Sequence, residues 1–143
     1  TLVSKLLDLG SLRRRDRDVL RLGSIVHFHT GITVDLAQPQ QTESLLRRLH
    51  PTPALGLLPR TDQTMAALSG WRSQLGCPAE FGAPFGVWER GRFEAVVAIR
   101  GLWWRGNNIS LPAGCGIIEA SRLVNEWREL RLKRDAVKRF VVS

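Results

Sequence analysis

A glycine-bracketed turn that runs into a charged amphipathic segment, PAGCGIIEASRLVNEWRELRLK from Pro112 to Lys133, constrains this chain more than any other stretch. Gly114 and Gly116 flank Cys115, and residues without a Cβ let backbone N–H groups come close to a ligand, so such a turn can hold an anion. Ser121 suits the start of a helix. Beyond it Glu126, Glu129 and Lys133 fall at i, i+3 and i+7 and project from one helical face. Two carboxylates one turn apart can hold a hard cation through oxygen. The spacing predicts a helix over about 121–139, with Leu123, Trp127, Leu130 and Val137 as its apolar stripe. The plainer alternative is a solvated helix on which the glutamates only pair with Arg122, Arg128 and Lys133.

The chain that leads to this turn reads as strands and short helices. Residues 1–23 open with an apolar helical piece and continue as LRRRDRDVLRLG, a basic segment that reads as a solvated turn or linker. SIVHFHTGITVDL is β-branched with rough alternation, which predicts a strand or two over about 24–36 with a turn near Gly31. His27 and His29 would share one strand face, as a metal pair or as packing side chains. A short helix over about 42–50, capped by Thr42 and burying Leu45, Leu46 and Leu49, stops at Pro51, and LHPTPALGLLPR is a proline-punctuated loop. Thr61 can cap a second helix to about Leu75, with Met65, Leu68 and Trp71 on its inner side. FGAPFGVWERGRFEAVVAIRG supplies two strands around a tight turn at Arg90-Gly91. Arg100 closes an otherwise apolar strand and is either emerging into solvent or held for a ligand. LWWRGNNISL forms another hairpin, with Trp103 and Trp104 on opposite faces.

The predicted fold is α+β. Antiparallel strands at about 24–36, 82–100 and 108–113 are covered on one face by helices at about 42–50, 61–75 and 121–139. Residues 24–143 form the globular portion and 1–23 a basic N-terminal segment. At 143 residues and 43% hydrophobic, the chain has the size and composition of one cored domain. A net charge of +8 favours anionic partners, whether nucleic acid, a membrane surface or a small dicarboxylate. Cys77 and Cys115 have neither metal-ligand nor disulfide-framework spacing, which points to a reducing, cytoplasmic setting. No apolar run approaches the length of a membrane span, and no signal-peptide pattern opens the chain. The first residue is Thr1, as expected of a processed or cut piece.

These stretches together resemble the chorismate-utilising enzymes: the isochorismate, salicylate, anthranilate and aminodeoxychorismate synthases. The C-terminal signature of that family, G-x-G-I-[VI]-x-x-S, then E-x-x-E, then K four residues on, is matched by Gly114, Gly116, Ile117, Ile118, Ser121, Glu126, Glu129 and Lys133. Arg122-Leu123 stand where the family usually has Asp-Pro. IVHFHTGIT is similar to its V-Q-H-L-x-T-x-I segment, with His27 and Thr30 on matching positions. LHPTPALGLLP is similar to its L-H-P-T-P-A-x-G-G-x-P loop, with Leu57 for the second glycine. FGAPFG and AIR resemble its aromatic-[AG]-G-P-x-G and A-[IL]-R runs. The resemblance covers about residues 24–140, rather less than half of the family's catalytic domain.

What the resemblance implies is specific. The fold would be part of the larger chorismate-binding (aminodeoxychorismate synthase-type) fold, and the substrate chorismate or isochorismate. Ala54 in an H-P-T-P-A loop would point to water rather than ammonia as nucleophile, as in an isochorismate synthase. Mg2+ would be the cofactor, with Glu129 a direct ligand and Glu126 acting through water. Arg100 would hold the enolpyruvyl carboxylate, Gly114 and Gly116 the ring carboxylate with the following helix N-terminus helping, and Lys133 would add positive charge there. Ala54, Phe81 and Ile99 would shape the ring pocket. The family's catalytic lysine and glutamate, and one further metal-binding glutamate, belong to an earlier part of the domain and have no counterpart here, so no catalytic residue is assigned to this chain. The expected partner is that missing portion, or self-association; nucleic acid is disfavoured and a membrane excluded. The alternatives are a basic nucleic-acid-binding module and a non-catalytic remnant acting as an interaction protein. The pathway stays open among menaquinone, siderophore and salicylate biosynthesis.

Overall fold

The computed structural model describes residues 2–22, 25–52 and 55–141. The chain divides into two compact units, Thr1–Pro53 and Ala54–Ser143. Small two-stranded antiparallel sheets and three helices make it α+β.

The first unit is built on a ribbon. Strands β1 (Gly10–Arg14) and β4 (Ile32–Leu36) pair from Gly10↔Leu36 to Arg14↔Ile32. Strands β2 (Asp18–Leu22) and β3 (Ile25–His29) pair from Asp18↔His29 to Leu22↔Ile25. Paired residue numbers sum to 46 in the first ladder (10 + 36) and to 47 in the second (18 + 29), so the two ladders follow one hairpin with one extra residue on its first arm. Such an extra residue bends the strand that carries it. The reading of 1–23 as a helical piece and a basic turn is therefore corrected: only Val3–Lys5 is helical, as a single 3-10 turn, and the arginine run lies on and between β1 and β2. A strand whose partner lies about twenty residues away leaves little local trace when its exposed positions are arginines. Arg13 pairs with Asp35 at 2.8 Å, and the Arg17 guanidinium lies 5.3 Å from the centroid of the Phe28 ring.

Helix α1 (Thr42–Leu49) half-buries Leu45, Leu46 and Leu49 as expected, but its N-cap is Gln41 rather than Thr42. The Lys5 ammonium donates to the carbonyls of Leu49 and Pro51 at 3.4 Å each, where the helix C-terminus is negative. Arg48 reaches back to Asp8 and to the carbonyl of Lys5.

In the second unit, helix α2 (Asp62–Gln74) begins at Thr61 with a reciprocal capping box to Thr64, an arrangement that contributes about 1 kcal/mol. Strands β5 (Pro84–Glu89) and β6 (Arg92–Val97) turn at Arg90 and Gly91, both at positive φ (50° and 77°), which is the tight hairpin geometry expected there. Strands β7 (Trp103–Arg105) and β8 (Asn108–Ser110) turn at Gly106, with Trp103 half-buried and Trp104 exposed. Helix α3 runs Leu123–Lys138.

Among the described residues no hydrophobic side chain is buried. Of the expected inner face of α2, Leu68 is half-buried, whereas Met65 and Trp71 are 37% and 54% exposed. The chain exposes 12047 Å2. Two separate compact units of 53 and 90 residues would together expose about 9,000 Å2.

Candidate functional site

The glycine turn and α3 do not meet as their order in the chain suggests. The N-cap of α3 is Arg122, without a side-chain bond. Ser121 instead closes the turn before it: its hydroxyl accepts from the Ile118 N–H at 3.1 Å, and its own N–H donates to the Ile118 carbonyl at 2.9 Å. The glycine segment then lies beside the body of the helix. The Lys133 ammonium donates to the carbonyl of Gly114 at 2.6 Å. Lys133 stands ten residues beyond Leu123, about 15 Å along the axis at 1.5 Å per residue. Positive charge at the Gly114 carbonyl thus comes from Lys133.

The apolar stripe of α3 is corrected in part. Leu123 and Trp127 are 82% and 55% exposed, whereas Leu130 and Val137 of the same stripe are half-buried together with the neighbouring Glu126 and Lys133. The helix therefore turns its acidic face, not its bulkiest apolar one, toward the glycine segment. Glu129 pairs with Lys133, and the Lys133 side chain is only 18% exposed.

Cys115 lies among the same groups. Its burial and the Glu126 carboxylate, which accepts its hydrogen bond, push the thiol upward; the charges of Glu126 and Glu129 add to this and Lys133 opposes it. A raised pKa lowers the thiolate fraction near neutrality, and the thiolate is the nucleophile. Glu126→Gln removes the carboxylate's negative charge, so Cys115 is expected to alkylate faster with iodoacetamide at pH 8 in a Cys77→Ser background. An unchanged rate would show that Glu126 does not govern the thiol.

Phe81 joins this cluster to the strands. A Cβ built on Gly114 would meet the Phe81 ring at 3.8 Å, and Phe81 packs edge-on against Trp103 with centroids 5.9 Å apart. The next residue, Gly82, donates its N–H to the carbonyl of Ala98 at 2.8 Å, and the Ala98 N–H donates to Ala83 at 2.8 Å. Ile99 and Arg100 follow directly. Ile99 is 43% exposed; Arg100 is exposed and has φ 56°, in the left-handed region that arginine seldom adopts. The Phe81 loop is fastened by a residue that sequence reasoning missed: Arg72 donates to the carbonyls of Pro78, Ala79 and Phe81 at 3.1, 3.3 and 2.8 Å. A basic residue in the last turn of a helix, ahead of a proline loop, was the available signal.

Phe81, Gly114, Glu126, Glu129 and Lys133 are thus brought into one neighbourhood, while Ile99 and Arg100 follow the strand bonded to the Phe81 loop. Gly116 is exposed, with open space where a Cβ would stand. Ala54 lies outside the described residues. Glu126 and Glu129 are oxygen donors of the type a hard cation takes, leaving most of its shell to water or other ligands. Among the described residues no group of three or more His, Cys, Asp or Glu side chains could hold a metal ion, and His27 and His29 gain no third ligand. No described helix is long and apolar enough to cross a membrane.

A family model for chorismate binding enzymes matches residues 5–142. The chain is 35% identical over 120 residues to the salicylate biosynthesis isochorismate synthase of Pseudomonas aeruginosa, covering 82% of this chain and 24% of that protein. It is 32% identical over 117 residues to isochorismate synthase MenF of Bacillus subtilis (77% and 23%), and 40% identical over 88 residues to isochorismate synthase EntC of Escherichia coli (59% and 21%). It spans about a quarter of the length of these curated relatives. No solved structure matches it.

Proposed function

The chain belongs to the chorismate binding enzyme family, and we propose that it forms the substrate- and magnesium-binding portion of an isochorismate synthase-like enzyme that converts chorismate to isochorismate. The observation that carries this reading is the placement of the Gly114 segment along the acidic face of α3, with Phe81 against the same glycine. In this reading the Gly114–Gly116 backbone would accept an anion and the two carboxylates a cation beside it. A dicarboxylate bound with a divalent ion needs both.

Neither glycine is required by the backbone here, since neither has positive φ, and a Cβ at Gly116 would touch nothing. Close approach of a ligand to the N–H groups gives these positions a reason the fold does not. Glu126 and Glu129 would hold Mg2+, which when bound supplies charge neutralisation for the ring carboxylate. Arg100 would hold the enolpyruvyl carboxylate through a bidentate fork. Ile99, Phe81 and Ala54 would line the ring pocket. The proton-transferring lysine and glutamate would come from a portion of the domain outside this chain, so the isolated chain would bind without turnover. In that larger fold the strands would join a continuous sheet and the helices would cover one face of it.

Titration calorimetry with chorismate, with and without Mg2+, tests the proposal. Magnesium-dependent binding is expected. No chorismate binding, together with salt-dependent binding of generic oligonucleotides, would replace this reading with a basic nucleic-acid module.

A further inference from the structure

Lys133 makes two contacts at once: its ammonium pairs with the Glu129 carboxylate and donates to the Gly114 carbonyl at 2.6 Å, with 18% of the side chain exposed. A half-buried ammonium held by one carboxylate and one carbonyl satisfies much of the demand that a small cation would satisfy at the same oxygens. Its charge opposes the arrival of a second cation.

We infer that Lys133 is a positioning residue that competes with the divalent cation for Glu129, so that metal capture requires the ammonium to leave this carboxylate. This rests on the reading of Glu126 and Glu129 as the metal-facing pair and goes beyond it. Displacement has a second consequence. The ammonium that leaves Glu129 stays tethered beside the glycine segment, where it is free to meet an anionic group. Metal binding would then prepare the anion site, and metal and dicarboxylate would bind in a coupled way.

Mn2+ titrated into the full chain, followed by loss of the free-ion electron paramagnetic resonance signal, tests this without turnover. Lys133→Met is expected to bind Mn2+ about tenfold more tightly than the wild type, since it removes both a competing ion pair and a nearby like charge. Lys133→Arg keeps the charge and is expected to stay within about threefold of the wild type. Glu129→Gln is expected to lose the site. A merely structural role for Lys133 predicts the opposite sign, because Lys133→Met would then loosen the glycine segment and weaken binding. Equal affinity in wild type and Lys133→Met, with Glu129→Gln abolishing binding, overturns the inference and leaves the metal reading standing. Absence of Glu129-dependent Mn2+ binding in every variant overturns both.

Discussion

Replacing Arg100 with alanine is expected to weaken chorismate binding about a hundredfold while leaving the chain's stability nearly unchanged. A charge-assisted hydrogen bond pair to a carboxylate contributes up to about 3 kcal/mol, and 2.7 kcal/mol is a factor of about a hundred. The structure supplies the reason to separate binding from stability. Arg100 is exposed and sits at φ 56° directly after Ile99. A non-glycine residue held there costs about 1 kcal/mol or more, and such strain clusters at ligand-binding positions. Arg100→Gly relieves that cost but adds chain entropy on unfolding, so it is expected to fall within about 1 kcal/mol of the wild type and to lose binding as fully as alanine does. Arg100→Lys keeps the charge without the planar fork and should fall between. Calorimetry and thermal melts on the three variants decide the matter. Loss of stability in step with loss of affinity would make Arg100 a scaffold residue, and full affinity in Arg100→Ala would remove it from the site.

The parts of this molecule that could be read from the sequence are those whose cause is local. The Arg90-Gly91 turn needs positive φ at adjacent residues, and a glycine beside alternating apolar residues announces it. Thr61 ahead of a helical pattern announces a cap, and the structure shows that cap closed reciprocally with Thr64. What could not be read depends on partners distant in the chain. The basic strand β1 exists because β4, about twenty residues on, faces it, and its composition alone describes a solvated turn equally well. The direction of α3 failed for a related reason. Helical spacing groups Leu123, Trp127, Leu130 and Val137, but the inward side is rotated so that Glu126 and Lys133 join Leu130 and Val137 while Leu123 and Trp127 stay exposed, and Lys133 satisfies the Gly114 carbonyl. Ser121 promised a cap just ahead of α3, yet it spends its hydroxyl on Ile118. The candidate site was legible as a set of residues through the family motifs. That Gly114 meets the third turn of the helix rather than its start was not.

Dissolved alone at micromolar concentration, the chain is expected to bind a hydrophobic dye strongly and to associate with itself. The β5–β6 hairpin exposes apolar pairs on both faces, one of which also carries Glu89, Arg92 and Glu94. Phe85 and Val96 are direct cross-strand partners at 70% and 67% exposure, and Trp88 faces Phe93 on the other side with ring centroids 6.0 Å apart. In β7–β8 the pair Trp104 and Ile109 is 74% and 61% exposed. An isolated two-stranded hairpin is marginal in water, and its unpaired edges invite further strands. The exposed area exceeds that of two compact units by about 12047 − 9,000, or roughly 3,000 Å2. That falls in the range buried by obligate interfaces rather than transient ones. The formal charge of +8 opposes random self-assembly, and apolar association should persist at high salt, where charge repulsion is screened. Phe85→Lys with Val96→Glu places an ion pair on the face in place of two apolar groups, and is expected to reduce dye binding and shift light scattering toward monomer. A wild-type monomer with no dye signal would mean that these hairpins are self-sufficient. The chain would then need no completing portion, and the view of it as one part of a larger chorismate-binding domain would fail at its physical root.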